Sequence, residues 1–174
     1  MLRVTASLLL AVSLVGAHST AWAGMFQFPK IILQSNSMVG VSGAFVGDAN
    51  PVRGIPGDDL PWTAPAKTAV RLTSTGSLFI AVRGLVIEDG PGVPPDQVGT
   101  NPDDTFKGLV SCLTEENGMV VEKNVATKPF PADKHGNSLI VDKVTLPNPC
   151  LAPIVMVLDG DANAWFSMTG FESD

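Results

Sequence analysis

Glycine and proline interrupt this chain too often for a long helix to form anywhere in it. Seventeen glycines and fourteen prolines are spread along the 174 residues. Each glycine loosens the backbone, and each proline fixes φ and removes an amide donor. No ten-residue stretch carries apolar residues at i, i+3, i+4 and i+7. Between the breaks lie short runs that are either wholly apolar or alternate, the period of a strand. Eight are legible: residues 38–46, 69–73, 77–87, 105–113, 119–126, 138–146, 154–158 and 164–171. The clearest is 77–87, where Leu78, Ile80 and Val82 oppose Phe79, Ala81 and Arg83. The run 154–158 differs from the rest in being apolar at every position. Residues 24–37 add a hydrophobic patch that is either a ninth strand or a docking arm.

Turn chemistry agrees with this division. Ser74-Thr75-Gly76 is short enough to make a hairpin of the second and third runs, and Glu115-Glu116-Asn117-Gly118 to join the fourth and fifth. Asn-Gly accepts the positive φ that tight hairpin turns require. Lys134-His135-Gly136-Asn137 and Asp159-Gly160-Asp161-Ala162-Asn163 supply two further turns. The expected fold is all-β: a two-sheet antiparallel β-sandwich of the immunoglobulin-like, Greek-key type, with about eight strands. Two long loops rich in proline and glycine, 47–66 and 88–104, interrupt it.

The first residues read differently. Met1-Leu2-Arg3 is a basic start, residues 8–17 are small or apolar, and Ala21-Trp22-Ala23 precedes Gly24. These are the three parts of a cleavable secretory signal, and the apolar part falls short of the ~20 residues that span a bilayer. The expectation is a signal over 1–23, a single domain over 24–174, and a secreted, extracytoplasmic location without membrane insertion. Two cysteines, Cys112 and Cys150, are then expected to pair, as an even count does in an oxidising compartment. Closing a loop of about 39 residues stabilises by about 4 kcal/mol in the chain-entropy view.

Net charge bounds the partners. The chain carries −6, with seventeen acidic residues against eleven basic ones. Nucleic acid and anionic membranes are therefore poor partners on electrostatic grounds, and an extracellular protein or glycan is the expected one.

Candidate chemistry is thin. Asp159, Asp161 and Asn163 place oxygens at i, i+2 and i+4, like the opening of a calcium loop, though Ala164 and Gly170 stand where an EF-hand needs Gly and Glu. Calcium is the one cofactor this pattern admits. His135 is the only histidine beyond the leader and lies two positions from Asp133, but no G-x-S-x-G elbow accompanies it. Adjacent acids occur at Asp58/Asp59, Asp103/Asp104 and Glu115/Glu116. If 69–73 and 77–87 form a hairpin, both long loops emerge at one end. That brings Arg53, Asp58, Asp59 and Trp62 within reach of Asp103 and Asp104 as a ligand-binding face. In the alternative, the loops are covers, with Trp62 and Ile55 turned inward. The functional expectation is a non-catalytic binding or structural role. Its alternatives are a small extracellular hydrolase using loop carboxylates and a calcium-dependent binding module.

Overall fold

The computed structural model describes residues 29–170. The expected leader, residues 24–28 and residues 171–174 lie outside the described residues. Ten strands form: β1 Ile31–Ser35, β2 Val39–Gly40, β3 Lys67–Thr73, β4 Ser77–Arg83, β5 Thr105–Glu116, β6 Met119–Ala126, β7 Phe130–Pro131, β8 Ser138–Lys143, β9 Leu151–Asp159 and β10 Trp165–Met168. Helix is confined, among the described residues, to a 3-10 turn at Gly43–Phe45. The protein is all-β, with two antiparallel sheets. One has the order β1-β3-β4-β8, and the other β2-β10-β9-β5-β6 with β7 on the end of β5.

The hairpins form where the turn residues place them. Leu72 pairs with Leu78 across the 74–76 turn. Gly76 has φ +83 there, and a Cβ would strike the Val144 carbonyl. Glu116 pairs with Met119 around Asn117 and Gly118, whose φ values of 54° and 78° are those of a two-residue type I′ loop.

The sheets meet face to face. Val70, Leu72, Leu78, Ile80, Val82 and Ile140 point inward from the four-stranded sheet and are buried. They press against the backbone of β5: a Cβ on Gly108 would lie 2.8 Å from Ile80 Cδ1 and 3.2 Å from Leu78 Cδ2. Phe106, Val110 and Cys112 flank that glycine on the same inner side. Cys112 is bonded to Cys150, with Cα atoms 5.0 Å apart, tying β5 to the segment that enters β9.

Several expected strands change length for local reasons. Of residues 38–46 only Val39–Gly40 pairs, because Gly43 at φ +57 turns the chain into the 3-10 turn. The run 77–87 stops at Arg83, where Gly84 takes φ +74, yet Leu85 and Ile87 beyond it stay buried. The run 138–146 ends at Lys143, and 164–171 shrinks to Trp165–Met168. The apolar run 154–158 belongs to a longer strand, Leu151–Asp159. The patch in 24–37 contributes β1. Two-residue β7, Phe130–Pro131, carried no periodicity by which to find it.

Candidate functional site

The two long loops do lie together at one end. Trp62 bridges to Ile87, the Thr63 amide donates to the Val86 carbonyl at 2.9 Å, and the Glu88 amide to Pro61 at 2.8 Å. Their arrangement is that of covers. Trp62 is 1 % exposed. Its ring stacks on Phe166 at 3.9 Å and meets Phe106 edge-on at 6.2 Å. Its indole Nε1 donates to Asp58 Oδ2 at 2.7 Å. Ile55 is buried as well. Trp62 therefore sits in the core and offers no surface aromatic.

Arg53 does not join that end. It occupies a tight turn closed by the Val52–Ile55 bridge, at φ 51 with Gly54 at φ 71. Its carbonyl accepts from Asn124 Nδ2 at 2.9 Å, its Nη2 donates to the Ala152 carbonyl, and its Nε lies 4.0 Å from Glu122. These partners belong to β6 and β9, so the first loop crosses the outer side of the six-stranded sheet. Phe45, just ahead of that loop, packs on Trp165 at 6.4 Å. The chain then turns over the sheet edge, where the Trp165 amide donates to Pro56 and the Asp58 amide to the Trp165 carbonyl. Beneath this strap Leu109, Met156, Leu158 and Trp165 are all buried, although their register sets them opposite to the inward-facing Gly108 and Val110.

The carboxylates do converge, and more of them than the hairpin argument brought together. The Asp103 carboxyl is pushed up to about 6, first by burial and then by the negative charges of Asp159, Asp58, Asp161 and Asp104. Burial also raises the Asp58 carboxyl, against the pull of the Trp62 hydrogen bond, and Asp59 beside it adds repulsion. The acids of both loops and those of the 159–163 turn thus form one acidic end. Within that turn the Asp161 amide donates to Asp159 Oδ1 at 2.7 Å, a local cap of the kind aspartate makes in turns. Asn163 is exposed in the same turn. Among the described residues, no three His, Cys, Asp or Glu side chains are grouped to hold a metal ion.

The remaining nominees are parts of turns. Asp133 accepts from the amides of His135 and Asn137 and from the Asn137 side chain, which holds its carboxyl below the usual range. Glu115 and Glu116 end β5, and Glu116 pairs with Lys123 at 2.9 Å.

A different surface stands open: the outer side of the four-stranded sheet. Its rows follow from the register. Arg71 lies beside Phe79 and Val141, Ala69 beside Ala81 and Leu139, Lys67 beside Arg83, and Ser77 beside Lys143. Lys67, Arg71, Arg83 and Lys143 are exposed, as are Phe79, Leu139 and Val141. No acid shares these rows. Asp142, on the same strand, pairs with inward-facing Leu78 and so takes the other side. A shallow groove of about 280 Å³ runs beside Arg71 and Phe79, lined also by Gln34, Asn36 and Ala69. A larger groove of about 580 Å³ lies between Leu33–Asn36 and Pro153–Ile154, and no ionisable side chain lines it. The signal for the open face was present in the outward positions of the 69–73 and 77–87 runs, where arginine and phenylalanine replace the usual neutral polar residues.

No family model matches this chain, and no curated protein or solved structure matches it significantly.

Proposed function

We infer that this is a secreted protein that acts outside the cytoplasm by binding rather than by catalysis, built as a β-sandwich of the immunoglobulin-like, Greek-key type. Two features support the setting and a third supports the fold. The first 23 residues have the composition of a cleavable leader. Cys112 and Cys150 form a disulfide, a bond that persists in oxidising compartments. After β4 the chain passes to the other sheet for β5, β6 and β7, returns for β8 and crosses again to β9, so that β4 pairs with β8 and β5 with β9, which supports the Greek-key reading.

The observation that carries the binding role is the open face: four cations and three exposed apolar side chains on one sheet, with no acid among them. Exposed apolar groups gathered on one surface mark interaction sites. The test is capture of extracytoplasmic material by the mature protein 24–174, compared with the Lys67→Glu/Arg83→Glu variant. Loss of capture at unchanged melting temperature supports the reading, and equal capture by both proteins overturns it.

One observation favours a second reading, a small hydrolase. A carboxyl held near 6 beside other carboxylates is the arrangement of a general acid with an ionised partner. Neither groove described above is lined by Asp103 or its acidic neighbours. Hydrolysis of a polysaccharide or ester by the mature protein, abolished by Asp103→Asn, would establish it. Calcium-dependent binding remains the third alternative, tested by repeating the capture with calcium and with a chelator.

A further inference from the structure

Resting on the binding reading, we propose that the outer side of the four-stranded sheet is a docking face for an anionic lipid surface. Whole-chain charge argues against such a partner, but the charge is segregated. Lys67, Arg71, Arg83 and Lys143 share the face with no carboxylate in its rows. Stacked sheets lie ~10 Å apart, and at physiological salt the Debye length is ~8 Å. Acids on the far side of the six-stranded sheet therefore stand more than a Debye length from whatever touches the near face along any path through solvent.

The remaining chemistry fits a lipid interface. Phe79, Leu139 and Val141 stand between the cations and are 39 %, 55 % and 54 % exposed, and Ile31 lies at the β1 edge of the same side. Apolar side chains of this kind enter the boundary between headgroups and acyl chains, while the long stems of Lys and Arg let their charges remain among the headgroups. β3 pairs with β1 over Val70–Thr73, and β4 pairs with both β3 and β8 over Leu78–Val82, so the backbone polar groups there keep their partners on partial immersion. A folded protein partner is the less suited occupant. Its binding energy concentrates in Trp, Tyr and Arg anchors seated in well-packed pockets. This face has no Trp or Tyr, and its groove beside Arg71 is shallow.

The test is co-sedimentation of the mature protein 24–174 with vesicles of mixed phosphatidylglycerol and phosphatidylcholine, and with vesicles of phosphatidylcholine alone. Binding to the anionic vesicles is expected, weakening as salt is raised, with little binding to the neutral ones. Lys67→Glu/Arg83→Glu should weaken it by at least about thirtyfold. Lys107→Glu/Lys123→Glu makes the same net charge change on the six-stranded sheet and should leave binding within about twofold. Phe79→Ser/Leu139→Ser should lower binding severalfold while keeping its salt dependence. Absence of binding to anionic vesicles, or equal loss in both charge-reversed proteins, overturns the proposal. Capture of polyglutamate through this face without vesicle binding also overturns it, in favour of an acidic polypeptide, and leaves the binding function standing. Loss of partner capture in the face variant with vesicle binding intact refutes the lipid assignment alone.

Discussion

The two outer faces of this molecule are built from the same kind of strand and have opposite fates. On the six-stranded sheet, Leu109, Met156, Leu158 and Trp165 point away from the core between the sheets and are nevertheless buried, because the first long loop straps across them. On the four-stranded sheet, Phe79, Leu139 and Val141 occupy equivalent outward positions and stay open beside four cations. The sequences of the strands carry the difference. β9 is apolar at every position from Ile154 to Leu158, as a strand buried on both sides must be. β3 and β4 alternate, and their outward positions hold Arg71, Phe79 and Arg83, which a covering loop would have to desolvate. Burial of those two arginines, with Lys67 beside Arg83, without counter-ions is costly, so a strap is stable on one sheet and disfavoured on the other.

The largest expected effect falls on the covered side. Trp165→Ala should cost about 3–5 kcal/mol of unfolding free energy in chemical denaturation, because it empties the buried outward site that Phe45 packs on. Phe79→Ala, on the open face, should change stability by less than about 0.5 kcal/mol. Comparable losses would erase the distinction between the faces.

Next is the disulfide. Cys112→Ala/Cys150→Ala should cost about 2–4 kcal/mol, read by the shift in denaturation midpoint, since the bond ties β5 to the approach of β9. The variant sharpens the comparison if β9 loses amide protection before β3 and β4 do.

Arg53→Ala tests the strap itself. It removes the donor to Ala152 and the guanidinium beside Glu122, with an expected cost of about 1–2 kcal/mol. Oxidative labelling of Met156 should rise with it. No change in labelling would mean that the strap is held by Ile55 and Phe45 alone.

The smallest effect concerns the acidic end. The Asp103 carboxyl is raised from 3.8 to about 6 by burial and by its acidic neighbours, so the folded state holds that proton more tightly than the unfolded chain. Its contribution is fully present below pH 3.8 and is lost as pH rises through about 6. Asp103→Asn should remove that fall. Because the group is partly solvated and its charges are screened, the gain at neutral pH should be only about 1 kcal/mol. Thermal melts of both proteins across pH 4 to 8 check it, and parallel curves would remove Asp103 as the source.

Much of this architecture was legible because strand signals are local. Alternation placed β3 to β6, turn chemistry placed three hairpins, and two cysteines placed one bond. The candidate site was less legible because it depends on how loops and faces pack. Arg53 and Trp62 are nine residues apart in one loop, yet one crosses the outer face and the other enters the core. Asp159 and Asp103 are far apart in sequence, and only the pairing of β5 with β9, Phe106 opposite Asp159, brings their charges together. The open face was only partly legible: Arg71, Phe79 and Arg83 mark outward positions of two runs, but a net charge of −6 masks the cations until strand order sets Lys67, Arg71, Arg83 and Lys143 on one side.

Hydroxyl-radical footprinting of a protein spanning residues 24–174 tests the contrast between the two faces most directly. Fast oxidation is expected at Phe79, Leu139 and Val141, with Trp62, Trp165, Met156 and Leu158 protected until the chain unfolds. Labelling of Met156 and Trp165 in the native protein, at rates like that of Phe79, would contradict a covered six-stranded face set against an open four-stranded one.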